Sequence, residues 1–307
     1  MRLAVTGKSG QVVSALRERA NQDLEIVAVG RPEFDLARTP FDEGLAVFAR
    51  LAPDAIVSAA AYTAVDKAES EAAEAAAINA AGAGSVAKIA ARLGVPVIHI
   101  STDYVFDGSK SAPYVEADPV APLGVYGQTK RDGELAVAAA TPNHVILRTA
   151  WVYSPFGNNF LKTMLRLAAD RPELRVVADQ AGNPTAALDI ADAVIAIARN
   201  MLARPDDAGL RGVFHMAGSG DTTWAAFADH ILAVSAELGG PTATVTPITT
   251  ADYPTPARRP ANSRLSSALL AERHGVVMPD WQASTRRTVQ RLLGTQTTLH
   301  SLGAASS

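Results

Sequence analysis

Apolar and polar positions alternate in two rhythms along the first half of the chain. Short β-branched apolar runs at Leu3 to Thr6, Ile26 to Val29, Ala55 to Ser58, Val95 to Ser101 and Val145 to Thr149 read as buried strands. Between them, helical spacing covers Gln11 to Ala20, Phe41 to Leu51, Glu71 to Leu93 and Tyr126 to Ala140. Each strand is separated from the next by a crossover, so the pattern predicts a doubly wound parallel α/β sheet with ligand at the carboxyl ends of its strands. From Trp151 the rhythm changes. A loop through Gly157, Asn158 and Asn159 precedes a helix from Phe160 to Ala169 and a strand from Leu174 to Val177. A strand over Val213 to Met216, a helix over Trp224 to Glu237 and an extended proline-bearing loop from Tyr253 to Pro260 follow. This half predicts a smaller α/β lobe, with Ala186 to Ala203 returning as a helix to the first domain.

The predicted boundaries are 1–150 for the first domain, joined by about 186–218, then 151–185 and 219–300 for the second lobe, with 301–307 a frayed tail. Composition narrows the class of protein. The 307 residues are 48% hydrophobic, enough for a large core, and the net charge of -3 is spread without long runs. That charge pattern points to neither nucleic acid nor an anionic membrane as a partner. The absence of cysteine excludes disulfides, thiolate metal sites and cysteine nucleophiles, and fits a reducing cytoplasm. The six His residues show no paired ligand spacing, and no metal is expected; His99, inside the apolar run Val95 to Ile100, reads as a satisfied core residue. The run from Met1 to Lys8 breaks too early for a signal peptide, and Glu74, Asn79, Lys88 and Arg92 mark the alanine-rich segment as a packed helix, not a membrane span.

The first strand runs into Gly7, Lys8, Ser9, Gly10, Gln11 and Val12, the strand, glycine turn and helix start that a dinucleotide site requires. Glycines let the backbone approach a pyrophosphate, whose charge is met by amides at the helix N-terminus. The sheet is therefore of the Rossmann type. The second strand ends in Gly30 and Arg31, where an acid for the free 2'-hydroxyl of NAD is absent and an arginine can pair with a 2'-phosphate. NADPH is the expected cofactor, with NADH open, and Asp35 and Leu36 are placed close to the adenine. The third strand ends in Ser58, Ala59, Ala60, Ala61, Tyr62 and Thr63, small residues that suit either backbone lying against the cofactor or tight helix packing. The fourth delivers Thr102 and Asp103 to the same sheet edge, and Tyr126 and Lys130 share one face of the next helix. A Tyr and a Lys at this spacing also occur on ordinary solvated helices. Here they converge with a strand-end hydroxyl on one crevice, where a fixed cation brings a phenol down from its usual pKa of about 10.

These residues resemble the extended short-chain dehydrogenase/reductases, and within them the branch acting on sugars carried by dTDP. The resemblance spans Gly7 to Val12, Ala64 to Ser70, Ser101 to Phe106, Arg148 to Tyr153, Gly157 to Phe160, Asp179 to Thr185 and Tyr253 to Ser263. It implies hydride transfer from a nicotinamide to C4 of a 4-keto-6-deoxy sugar nucleotide, giving dTDP-L-rhamnose. By the same resemblance Tyr126 donates the proton, Lys130 lowers the phenol's pKa and holds the nicotinamide ribose, and Thr102 hydrogen-bonds the reacting oxygen. It also implies that Asp103, Trp151 and Asn159 contact the substrate, while Arg258 and Asn262, with Arg259, reach the diphosphate.

The chain departs from the family pattern at Val13, in place of a third glycine, and at Ser58, where many relatives carry Asn. Some relatives join subunits through a metal held by glutamates. Ala15 and Leu188 stand at those positions, so a metal-bridged dimer is not expected, and monomer or homodimer is left open. Two other readings remain at this stage. A dehydratase or epimerase on the same fold is the first, although Tyr104 follows Asp103 where dehydratases commonly carry a Glu. A non-catalytic NADP-binding regulatory subunit is the second.

Overall fold

A computed structural model of the protein describes residues 1–304, with side chains through Gly294. The five strands predicted for the first half are β1 (Arg2–Thr6), β2 (Glu25–Val29), β3 (Ala55–Ser58), β4 (Val97–Thr102) and β5 (His144–Thr149). A further strand, Gly212–His215, adds to β5, and the order across the sheet is Gly212–His215, β5, β4, β3, β1, β2. All neighbours are parallel. Helices cover both faces of such a sheet, which is why β3 is buried along its whole length and reads as a continuous apolar run. The chain leaves β1 toward β2 on one side and returns to β3 on the other, and a crevice opens at this reversal.

On one face of the sheet Leu3, Val5 and Leu16 pack with Ile190, Val194 and Ile197 of the helix Ala187–Ala203. Ala15 lies in this core and Leu188 packs against it. The other face is filled by Phe34, Phe48, Ile56, Ile89 and Val137. The helix predicted from Glu71 to Leu93 runs over 72–93 with a π-helical segment, Ala77–Gly82, inside it. At this segment the Asn79 carbonyl lies 2.1 Å from where a Cβ on Gly133 would stand. Any larger residue than glycine at 133 would force the helix Val125–Ala140 away from its neighbour.

Tyr153, Leu161, Leu165, Phe227, Ile231 and Trp281 form a separate apolar core. Around it lie the helices Phe160–Ala168 and Trp224–Glu237 and a parallel pair of strands, Glu173–Val177 with Thr244–Ile248. The hydrophobic pattern predicts no strand at Thr244–Ile248 because Pro247 interrupts it. The strand has a single neighbour, so a residue without an N–H is tolerated there. The closing helix is Trp281–Ala304, and residues 305–307 of the expected tail lie outside the described residues. Among the described residues no helix is long and apolar enough to cross a membrane.

Candidate active site

A cleft of about 1120 Å³ runs along the carboxyl ends of the strands, and the glycine turn forms its floor. Gly7 has a φ of 100°, a conformation open to glycine and strained for other residues. A Cβ there would come within 3.3 Å of the Ala60 Cβ and 3.4 Å of a Val13 methyl. Val13, in the place of a third glycine, is buried in the core and fills the space that a bare Gly7 leaves. Gly10 precedes the helix Gln11–Glu18 without a side-chain cap, so first-turn amides are left for a ligand at the cleft. Ser9, Gln11 and Val12 line the same wall. Arg31 is exposed at the end of β2, with Asp35 and Leu36 beyond it on the cleft margin. Ala60, Ala61, Tyr62 and Thr63 line the opposite side. Thr6 Oγ accepts from the amides of Ala59 and Ala60 at 2.9 and 3.0 Å, which ties β1 to the end of β3.

The catalytic candidates meet at the end of β4. Thr102 Oγ accepts from the Tyr104 amide at 3.2 Å and donates to Asp103 Oδ1 at 3.0 Å, so both side chains are fixed by the short 3₁₀ turn that follows the strand. Burial pushes the Asp103 carboxyl up to about 6, against the hydroxyls of Ser263 and Thr102, which favour its charged form. Tyr126 stands one residue into the helix Val125–Ala140, its ring edge-on to Tyr104 at 5.6 Å. Gly127 makes this approach possible, because a Cβ there would lie 2.2 Å from the Tyr104 carbonyl oxygen. Burial pushes the Tyr126 phenol up to about 12, with Thr102 opposing and the Asp103 charge adding to the shift. The sequence predicts a phenol lowered by Lys130. The geometry differs because Lys130 Nζ is turned to the Ile100 carbonyl at 2.6 Å and to His99 Nε2 at 3.5 Å. Burial pulls this amine down to about 8, partly offset by Glu134.

The second lobe closes the cleft through Trp151 and Asn159. Trp151 has a φ of 45° and stacks on Trp224 at 3.6 Å, and Gly182 leaves room for its indole. The Asn159 side chain caps the helix Phe160–Ala168, accepting from the Lys162 amide at 3.1 Å and donating to Gln11 Oε1 at 3.0 Å. Ser154 Oγ donates to the same Gln11 oxygen at 2.7 Å. The first helix of the dinucleotide lobe is thereby latched to the loop that enters the second.

With this arrangement in view, likeness to known proteins becomes specific. The RmlD substrate binding domain family matches residues 1–293. A dTDP-4-dehydrorhamnose reductase from Sinorhizobium fredii is 56% identical over 294 residues, covering 95% of this chain and 98% of that protein. The chain belongs to the dTDP-4-dehydrorhamnose reductase family. The Escherichia coli K12 reductase is 43% identical, over 96% of this chain and 99% of its own length. Among solved structures, the dTDP-4-dehydrorhamnose reductase of Bacillus anthracis, in complex with NADP, superposes with a TM-score of 0.85 at 33% identity, covering 94% of this chain and 98% of that one.

Two residues expected at the site of this dTDP-4-dehydrorhamnose reductase family member do not line the cleft. Arg258 is exposed and does not line the cleft. Asn262 is buried away from it, its amide donating to the carbonyls of Lys110 and Ala112 at 2.5 and 3.0 Å and its oxygen accepting from Arg264. The neighbouring Arg259 binds Asp66 at 2.8 and 3.1 Å and so docks the loop onto the first lobe.

Other residues of consequence escape the sequence reading. Glu69 Oε1 accepts from the Val125 amide at 2.9 Å, which fixes the start of the helix that carries Tyr126. Asn79 holds both the amide and the carbonyl of Tyr62, at 2.8 and 3.1 Å, and reaches Thr129 Oγ at 3.1 Å. Both lie in or near the helical segments that follow β3. Only the close packing of these segments on the Tyr126 helix gives them a role.

Proposed function

We propose that the protein reduces the C4 keto group of dTDP-4-dehydro-L-rhamnose to dTDP-L-rhamnose with NADPH. The observation that carries this reading is the meeting of Thr102, Tyr126 and Lys130 in the cleft whose floor is the glycine turn. The cleft suits a dinucleotide: Gly7 and Ala60 leave a smooth floor, the first-turn amides face it, and Arg31 offers a cation at the β2 end for a 2'-phosphate. When bound, the nicotinamide supplies hydride.

Tyr126 gives its proton to the C4 oxygen as negative charge develops there. A phenol pushed up to about 12 holds that proton in the ground state, as an acid must. Thr102 hydrogen-bonds the same oxygen, and the Lys130 ammonium, at the wall of the cleft, holds the nicotinamide ribose. Asp103 and Trp151 orient the sugar. A Tyr104 after Asp103 leaves no second carboxylate for eliminating water, which supports reduction alone.

The test is to supply the 4-keto sugar nucleotide with NADPH and, separately, NADH, follow loss of absorbance by the reduced cofactor and identify the sugar. One equivalent of cofactor oxidised per dTDP-L-rhamnose formed is expected, faster with NADPH. Tyr126→Phe lowers turnover at least about a hundredfold with NADPH affinity kept. A talose product would keep the reductase class but refute the rhamnose assignment, and NADPH binding without reduction would refute the reaction.

A further inference from the structure

β4 places a buried imidazole beneath the Tyr126 helix, and the proposed reaction gives it no task. His99 is 1% exposed. Its Nδ1 lies 3.1 Å from Ser58 Oγ, and its Nε2 makes the long 3.5 Å contact with Lys130 Nζ. An ammonium only donates, so Nε2 is the accepting nitrogen and the ring proton sits on Nδ1, directed at Ser58. The three side chains form a row from the end of β3, through β4, to the helix that carries Tyr126.

We propose that His99, backed by Ser58, is a positioning residue that holds the Lys130 ammonium against β4 so that its remaining N–H faces the cleft. The inference rests on the role given to Lys130 above. It follows from which groups surround that amine. Glu134, one turn along the same helix, is engaged by Arg148 of β5 at 2.7 and 2.9 Å and by Ser101 at 2.5 Å. The other titratable groups facing this end of the helix are Tyr126, on the helix itself, and Asp103 and Tyr104 beyond β4; the bonds described for them do not include Lys130. The atoms in contact with the ammonium are therefore neutral acceptors, the Ile100 carbonyl and the His99 ring. Of the two, the imidazole is the one a substitution can remove. Burial and the neighbouring ammonium hold the His99 pKa well below its usual value, which favours the uncharged ring that can accept from Lys130. Ser58 has a place in this row as the group that fixes the tautomer.

The test compares turnover against pH for the wild type, His99→Leu, His99→Gln and Ser58→Ala, each checked for fold by circular dichroism and for NADPH affinity by fluorescence. Removing the acceptor disfavours the charged amine, so His99→Leu moves the basic limb of the profile down by about one pH unit, an approximately tenfold loss at the alkaline end with little change at acid pH. His99→Gln, whose amide oxygen can take the place of Nε2, keeps the wild-type limb. Ser58→Ala moves the limb in the same direction by less. An unmoved limb in both His99→Leu and Ser58→Ala overturns the proposal, and so does an equal shift in His99→Gln and His99→Leu. If His99→Leu does not fold, Ser58→Ala decides: a downward shift supports the row and an unmoved limb overturns it. Tyr126→Phe separates the two layers. Full turnover in that variant refutes the reading of the site itself, whereas its inactivity beside wild-type profiles at 58 and 99 refutes the positioning role alone.

Discussion

Two buried cations lie close together behind the cleft, and their surroundings differ in kind. Arg148 is held by both oxygens of Glu134, with Ser101 completing the carboxylate's bonds. Lys130, one helical turn before Glu134, contacts a carbonyl and an imidazole and, among the described residues, no carboxylate. Guanidinium suits the first position because its planar fork matches a carboxylate and stays charged. The second position needs a compact amine whose charge the surroundings can tune, and burial brings it down to about 8. The difference suggests a division of labour: a neutralised cation fixes β5 to the helix, and a cation left without a direct counter-charge is available to the reaction.

The largest effect that could break this contrast is loss of the unneutralised cation. Lys130→Met is expected to lower turnover by about 10²- to 10⁴-fold, measured as kcat under saturating cofactor and substrate. Stability is expected to hold or rise. Keeping Lys130 charged opposes folding below its folded-state value of about 8, and that cost fades as pH rises from there toward the ordinary lysine range. A methionine removes the cost while filling similar space. For catalysis the expected sign runs the other way: if the charged amine is needed, wild-type turnover is expected to fall as pH rises through the region where Lys130 loses its proton, read from a pH–rate profile. A Lys130→Met enzyme with wild-type kcat would place Lys130 on the same footing as Arg148.

Much of this arrangement is legible in the sequence, though unevenly. The glycine turn, the strand ends and the Tyr126 to Lys130 spacing are local patterns, and each sits where periodicity puts it. The partners of Lys130 are not local. His99 reads as core until parallel pairing of β3 with β4 sets Ser58 against His99 in register. Asn79 is invisible as an anchor because ordinary helical periodicity gives no sign of the π-helical segment around it. The second lobe is less legible. Resemblance put Arg258 and Asn262 at the ligand, whereas the chain uses Asn262 to staple the 110–112 loop and Arg259 to reach Asp66. A polar residue in a loop motif has several possible partners, and the motif does not say which one wins.

A smaller effect belongs to the neutralised pair. Glu134→Gln leaves the Arg148 charge buried, since both partners are under a tenth exposed, and the amide can accept through only one of its two terminal atoms. Urea denaturation is expected to show a loss of about 3–5 kcal/mol. Residual turnover in the folded fraction should exceed that of Lys130→Met. If Glu134→Gln instead abolished kcat with its stability intact, the carboxylate would belong to the chemistry and the division between the two cations would fail.

The smallest effect belongs to an exposed pair, which Glu18 also joins at 3.5 Å from Arg19. Arg19 binds both oxygens of Asp192 at 2.6 and 2.9 Å, the same forked geometry as Arg148 on Glu134. Its setting is the reverse, because the side chains are 31% and 56% exposed. Water already solvates these charges in the unfolded chain and largely in the folded one, so the pair gains little and salt screens what remains. Arg19→Ala is expected to cost about 1 kcal/mol or less, and the difference from wild type should shrink when the melt is repeated at high salt. Were the fork geometry the main source of stability, losing the exposed pair would cost about as much as losing the buried one. A matching loss in both would mean that the fork, not the burial, stabilises the pair, and the contrast between Lys130 and Arg148 would then need another physical basis.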